Sequence, residues 1–158
     1  LLRGNMGGGV ILSAFPSTAN GEPAPASARL HNLTAWNNTS NGFWVAASAT
    51  NSEILNSIAW NHPDDFDGTI PRIFAFNCMG DSTRNGLDGN FSNDPLFRNV
   101  ATGDFRLLPG SPCANAGSNQ PWMVTATDLQ GLPRILRGRV DVGAFESPPP
   151  AGTLILIR

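Results

Sequence analysis

The chain has 158 residues, among them 17 Gly and 13 Pro, and its formal net charge at pH 7 is −2. This length suits one domain with a sizeable core, and Gly or Pro interrupts every candidate helical pattern of about 12 residues. The charge excludes the basic surface typical of nucleic-acid-binding proteins, and no apolar run approaches the ~18 residues of a membrane helix. We expect an all-β protein with many tight turns.

The first residues read as the middle of a larger structure. Residues 4–12, GNMGGGVIL, place a glycine run before a β-branched strand. A phosphate-binding loop would need a GK[ST] element and a following helix, and neither is present in the sequence. The opening LLRGN is not an export signal, so we expect preceding coils and any such signal to lie outside this chain. The Pro- and Ala-rich residues 15–28 predict a loop.

Two segments then share a pattern. LHNLTAWN at residues 30–37 matches ILNSIAWN at residues 54–61 in its two Asn, its Ala and its Trp, each at an offset of 24 (56 minus 32). A weaker copy, AFN at residues 75–77, follows after a shorter interval, so it belongs to the same stack or to an adjacent face. Short strands that recur at such spacing favour a solenoid, in which each unit buries its inner face against its neighbours. We predict that Trp36 stacks on Trp60.

Stacking in register also accounts for the asparagines of the pattern. An amide can donate to one neighbour and accept from the other, which gives ladders of identical side chains. We expect such ladders to join Asn32 to Asn56 and Asn37 to Asn61.

The two tryptophans have two interpretations. Stacked aromatic rings are most simply structural. The alternative is a ligand-binding platform for a glycan, formed by Trp36, Trp60 and the neighbouring His62. The sequence pattern does not reveal which face of the strands points inward.

The stretch HPDDFDG at residues 62–68 is the one candidate for a metal site. Asp64, Asp65 and Asp67 could supply oxygen ligands to calcium. The distal Glu of an EF-hand loop is missing, and a solvated turn is the simpler interpretation. Calcium is the only cofactor that the sequence suggests.

The two cysteines, Cys78 and Cys113, also allow two interpretations. An exported protein could join them in a disulfide between neighbouring coils. Otherwise both are small buried hydrophobic residues.

Three blocks rich in turns close the chain. They are DPLF at 94–97, GDFRLLPGSPCANAG at 103–117 and TDLQGLPRILRGRVDVGAFE at 127–146. Phe105, Leu107 and Leu108 predict a short strand that ends at a Pro-Gly turn, and the alternation through residues 140–146 predicts another. Four charged residues of these blocks could form an ion-pair network: Asp128, Arg134, Arg137 and Asp141.

In this order the blocks closely resemble the C-terminal signature of secreted bacterial right-handed parallel β-helix proteins, of the choice-of-anchor and pectate-lyase-like group. The resemblance covers at least residues 54–146. It implies a short, right-handed, single-stranded parallel β-helix over residues 1–146, truncated at its N-terminus, on a secreted or cell-surface protein. Residues 147–158 then form a Pro-rich spacer and a terminal strand, TLILIR, at 153–158.

The resemblance implies a non-catalytic module for adhesion or glycan contact. The alternatives are a polysaccharide lyase or epimerase, with His62 or Arg72 as base near the aspartates of 64–67, and a structural fragment of a larger β-helix. The chain contains no Lys and no Tyr, and neither histidine belongs to a nucleophile pattern, so we assign no catalytic residue. Self-association is expected through the exposed edge of the first coil or through residues 153–158.

Overall fold

The computed structural model describes residues 1–6, 8–13 and 27–149. These residues form short β-strands and 3-10 helices and no α-helix. The strands are β1 (Leu2–Arg3), β2 (Val10–Leu12), β3 (Arg29–His31), β4 (Thr34–Trp36), β5 (Asn41–Val45), β6 (Glu53–Leu55), β7 (Ile58–Trp60), β8 (Asp64–Gly68), β9 (Ile73–Ala75), β10 (Cys78–Met79), β11 (Phe97–Asn99) and β12 (Asp104–Leu107). The 3-10 helices are Ala47–Ala49, Val100–Thr102 and Pro121–Val124.

Ten of these strands form three parallel sheets. Their orders are β1-β4-β7-β10, β2-β5-β8 and β3-β6-β9. The chain visits the sheets in rotation, so that β3, β4 and β5 are each followed in their own sheet by β6, β7 and β8. The predicted all-β class is therefore confirmed, and its main sheets are parallel. Among the described residues, no helix is both long and apolar enough to cross a membrane.

The two matching segments pair as predicted. Ala35 lies opposite Ala59 and Trp36 opposite Trp60. The weaker copy lies in a different sheet, because Ala75 pairs with Leu55 of β6. Of the two placements that the sequence left open for this copy, the adjacent face is confirmed.

Asparagines of the pattern form the corners between sheets. Asn32, Asn37, Asn56 and Asn61 each follow a strand, and their φ angles lie between 52° and 65°. Asn adopts this left-handed conformation more readily than most residues, which explains its recurrence at the bends. In the outer pair, the Asn61 side-chain amide donates to Oδ1 of Asn37 over 2.9 Å, so this predicted ladder is confirmed.

The predicted ladder between Asn32 and Asn56 is wrong. Nδ2 of Asn32 donates to the Asp141 carbonyl over 3.1 Å. Asn56 both donates to the Ser118 carbonyl over 2.9 Å and accepts from the Ser118 N–H over 2.7 Å. Both amides are buried. They satisfy backbone groups of the C-terminal segment, which lies against this corner and leaves each amide a nearer partner than its copy.

The apolar core lies between the parallel sheets. Its buried members lie on strands, except Ala49 of the first 3-10 helix: Ala35, Phe43, Val45, Ala49, Ile54, Ala59, Phe74 and Met79. A second cluster joins β7 and β10 to the C-terminal blocks through Ile58, Cys78, Leu107, Cys113 and Val142. The C-terminal blocks therefore pack on the outside of the β1-β4-β7-β10 sheet.

The two cysteines are buried free thiols, as the simpler interpretation proposed. A hydrogen bond with Cys113, together with burial, raises the pKa of the Cys78 thiol. The Cys78 thiol also donates to the Asn93 carbonyl over 3.2 Å.

The C-terminal blocks differ from the parallel sheets. The strand predicted near Phe105 is confirmed as β12, and it pairs antiparallel with β11. Residues 140–146 are not a strand, because their backbone groups bond to scattered partners instead of one ladder. The N–H of Gly143 donates to the Asn56 carbonyl over 2.8 Å, and the N–H of Ala144 donates to Oγ1 of Thr34 over 3.0 Å. The strands of the parallel sheets thus lie between Leu2 and Met79.

The predicted ion-pair network has different members. Arg134 pairs with Glu146, at 3.2 Å between Nη1 and Oε1. Asp141 and Asp128 accept backbone N–H groups: Asp141 from Asn115 and Ser147, Asp128 from Glu146 and nearby turn residues. These charged groups therefore fix the path of the terminal segment.

Three sequence predictions lie wholly or mainly outside the described residues. They concern most of the loop at 15–28, the terminal strand at 153–158 and the end of the Pro-rich spacer.

Candidate functional site

Trp36 and Trp60 form a pair on the outer face of the β1-β4-β7-β10 sheet. Side chains alternate between the two faces of a strand. Ala35 and Ala59 are fully buried on the inner face, so the tryptophans point outward and are partly exposed. The structure thus settles the orientation that the sequence left open.

A groove of about 370 Å³ runs beside this pair. The antiparallel pair of β11 and β12 forms its other wall. Phe105 of β12 packs on Trp36 with ring centroids 5.6 Å apart. The lining residues are Trp36, Trp60, Asn61, Asp94, Leu96, Phe97, Val100 and Leu108. The groove combines aromatic and aliphatic surface with one amide and one carboxylate.

A second groove, of about 320 Å³, begins on the other side of Trp60. It shares Trp60 and Asn61 with the first groove, and its other lining residues are His62, Pro63, Asp65, Gly80 and Asp81. Met79 pairs with Ala59, so Gly80 comes opposite Trp60. The outward column of this sheet therefore reads Arg3, Trp36, Trp60, Gly80.

His62 lies behind the second groove and is held on both ring nitrogens. Its side chain is 0% exposed. Nδ1 lies 2.7 Å from Oδ1 of Asp65, and Nε2 lies 3.0 Å from Nδ2 of Asn38. Because an amide nitrogen only donates, Nε2 accepts and the ring proton sits on Nδ1. In this arrangement the His62 ring links Asp65 to Asn38 inside the protein and is not accessible to a ligand.

The three aspartates of the predicted calcium site do not come together. Asp65 is buried, where it binds His62 and accepts the Asp81 N–H over 3.2 Å. Asp64 and Asp67 are exposed on β8. Nowhere in the described part of the chain do three or more His, Cys, Asp or Glu side chains form a group able to hold a metal ion.

Arg72, the alternative base for a lyase, lies in a different place. Its guanidinium pairs with the Glu53 carboxylate, which also binds Arg29 at 3.5 Å. Burial lowers the pKa of His31, whose Nε2 lies 3.3 Å from the same carboxylate. These residues belong to the β3-β6-β9 side, where Arg29, Glu53 and Arg72 line a separate groove of about 420 Å³. Arg72 and the aspartates of 64–67 are thus not assembled into one site.

Comparison with protein-family models, with curated proteins and with solved structures finds no match to this chain. The resemblance to secreted β-helix proteins therefore stays a prediction. The two grooves that meet at Trp60 are the candidate functional site of the chain.

Sequence reasoning missed Gly80 and Asp81. A search for a third copy of Ala-Trp-Asn leads to residues 75–77, whereas the register places Met79, Gly80 and Asp81 there. The sequence interval between paired residues of this sheet is 24 from Thr34 to Ile58 (58 minus 34) but 20 from Ile58 to Cys78 (78 minus 58). The expected third copy is therefore displaced by four residues. A glycine in an aromatic column looks like the end of a pattern, so only the strand register could reveal it.

Proposed function

We propose that the chain is a non-catalytic glycan-binding module of a secreted or cell-surface protein. The observation that carries this proposal is the register pair of outward-facing, partly exposed tryptophans beside a groove lined by Asn61 and Asp94. The apolar face of a sugar ring packs well on an aromatic ring, and its hydroxyl groups bond to amides and carboxylates. Such a mixture of aromatic surface and a few convergent polar groups is typical of small-molecule sites.

The proposed architecture is a right-handed, single-stranded parallel β-helix. One support is that the chain passes through the three parallel sheets in rotation. Another is that paired residues from β3 onward are separated by similar intervals in the sequence, such as Arg29 to Glu53, Thr34 to Ile58 and Ile58 to Cys78. A parallel connection within one sheet is right-handed in nearly all proteins. The resemblance of the terminal blocks to those of secreted β-helix proteins supports the same architecture and the proposed location.

The side chains around Trp60 favour binding over catalysis. His62 has both ring nitrogens engaged inside the protein, and Arg72 is ion-paired with Glu53 on another side of the molecule. A general base must reach the proton it removes. Neither residue is placed to do so beside the tryptophan pair.

The test is glycan binding by the full chain on a panel of neutral and acidic polysaccharides, followed by alanine substitution of each tryptophan. We expect Trp36→Ala and Trp60→Ala to weaken binding at least about tenfold, which corresponds to about 1.4 kcal/mol. Trp122→Ala is the matched control, because Trp122 is 46% exposed and lies outside both grooves. Circular dichroism verifies that each variant is folded.

Two results would contradict the proposal. One is the absence of measurable binding to every polysaccharide of the panel at millimolar sugar. The other is turnover of a uronate polymer, followed as the absorbance of unsaturated uronate, by the purified chain. The second result would favour the lyase alternative, and loss of turnover in His62→Ala would then locate the site.

A further inference from the structure

The outward column of the β1-β4-β7-β10 sheet lacks a side chain at its last position. Arg3, Trp36 and Trp60 fill the first three positions, and Gly80 follows on the last strand. A Cβ on Gly80 would lie 3.5 and 3.6 Å from the Trp60 indole carbons Cε3 and Cδ2, which is van der Waals contact. The same Cβ position lies 2.5 Å from Oδ2 of Asp65, so the indole surface turned away from Trp36 faces the second groove beside the Asp65 carboxylate.

We propose that this last position of the column is the primary sugar subsite and that it takes an uncharged pyranose ring of a neutral glycan. The inference rests on the glycan-binding function proposed above. The bound ring stacks on Trp60 where the next aromatic side chain of the column would lie, about one strand spacing of ~4.8 Å further along the sheet. The groove of about 320 Å³ at this position is large enough for one such ring.

The polar groups of the subsite are acceptors. Asp81 lines the groove, and its oxygens accept from the Thr83 hydroxyl over 2.8 Å and the Phe66 N–H over 2.9 Å. Each carboxylate oxygen can accept more than one hydrogen bond, so Asp81 retains capacity for sugar hydroxyl donors. Hydrogen bonds to a charged acceptor are stronger than neutral ones.

The charge of the subsite selects against uronates. Asp81 and Asp65 both line the groove, and no Arg is among its lining residues. The His62 ring, with its proton on Nδ1 shared with Asp65 and its Nε2 accepting from Asn38, adds no net positive charge there. A sugar carboxylate would approach two like charges, which is unfavourable. A neutral sugar meets the same oxygens as hydrogen-bond acceptors.

The test is isothermal titration calorimetry of the full chain with two sets of oligosaccharides. The neutral set contains gluco-, manno-, xylo- and galacto-oligosaccharides, and the acidic set contains oligogalacturonate and oligoalginate. Each is measured with calcium chloride and with EDTA. We expect at least one neutral oligosaccharide to bind about tenfold or more tightly than either acidic one, equally in both buffers.

Two substitutions locate the ring. Asp81→Asn removes one charge at nearly constant size, so we expect weaker neutral binding and a smaller ratio of neutral to acidic affinity. Asp64→Asn is the matched control, because Asp64 is exposed on β8 outside both grooves. Gly80→Ala places a methyl group on Trp60 and should abolish binding. Its Cβ also approaches Oδ2 of Asp65 to 2.5 Å, and if this variant does not fold, Asp81→Asn decides alone.

The outcomes separate this inference from the proposed function. If no glycan of either set binds, the glycan-binding function fails, and the subsite with it. If binding is lost in Trp36→Ala or Trp60→Ala but Asp81→Asn matches Asp64→Asn, the function stands and the subsite at the Gly80 position is wrong. Preference for an acidic oligosaccharide, or a requirement for calcium, also overturns the subsite as described.

Discussion

Glu146 should make the stability of this protein fall as the pH rises from about 4.5 to about 7. Its side chain is 2% exposed, with one oxygen 3.2 Å from the Arg134 guanidinium and the other 3.0 Å from the Asp141 N–H. Burial and the nearby Asp141 carboxylate raise the pKa of Glu146 from 4.5 to about 7, against the opposing effect of Arg134. The folded state therefore holds this proton more tightly than the unfolded chain does.

The sign and size of the effect follow from proton linkage. Below pH 4.5 Glu146 is protonated in both states, and its contribution to stability is fully present. As the pH rises toward 7, the unfolded chain loses this proton first, so the contribution is lost. At about 1.36 kcal/mol for each unit of pKa, the loss is at most about 3 kcal/mol.

The assay is urea unfolding at a series of pH values between 4 and 8, for the natural chain and for Glu146→Gln. The uncharged Gln side chain cannot titrate, so we expect the free energy of unfolding of the variant to lack this decline. Asp88→Asn, which removes a carboxylate that is 64% exposed, is the control and should keep it. Parallel pH profiles for the natural chain and Glu146→Gln would refute the reasoning.

Three further predictions concern the terminal segment and the sheet edges. Asn56→Ala should lower the free energy of unfolding by about 2–4 kcal/mol, because the N–H and C=O it serves become unsatisfied; an equally stable variant in thermal unfolding would contradict this. Gly143→Ala should cost about 1–3 kcal/mol, since its φ is 104° and the new Cβ would lie 2.7 Å from Ile58, whereas Gly131→Ala, with open space around it, should show only the backbone strain. We also expect self-association, measured by light scattering and altered by deletion of residues 147–158 if the tail takes part; a monomeric mass at high concentration argues against it.

The sequence predicted the parallel sheets well where side chains must match their own copies. The repeat of Ala-Trp-Asn placed Trp36 opposite Trp60 because both segments have the same length and the same corner residues. Asn at those corners was recognised as a ladder residue, whereas its left-handed backbone explains all four positions and the ladder explains only one pair.

The later part of the fold was harder to predict because its contacts are distant in sequence. Residues 140–146 alternate like a strand, yet the N–H groups of Gly143 and Ala144 donate to Asn56 and Thr34, which lie much earlier in the chain. The step from β7 to β10 is also shorter than the step from β4 to β7. This shortening moved the expected third copy to another sheet and concealed Gly80, so the second groove could not be found from the sequence pattern.

The bond from Asn32 to the Asp141 carbonyl has a consequence for how the chain acquires its structure. It joins residues 109 positions apart, and Asn56 is likewise completed only by Ser118. A ribosome that has produced only the three parallel sheets has not yet supplied the partners of these buried amides. Repeat arrays whose units contact only their neighbours can begin folding at any unit and unfold unit by unit. Contacts between residues so distant in sequence slow folding, and here they join the parallel sheets to the C-terminal segment. We expect this protein to complete its fold only after residues 118–141 have been synthesised, and to melt in one cooperative step.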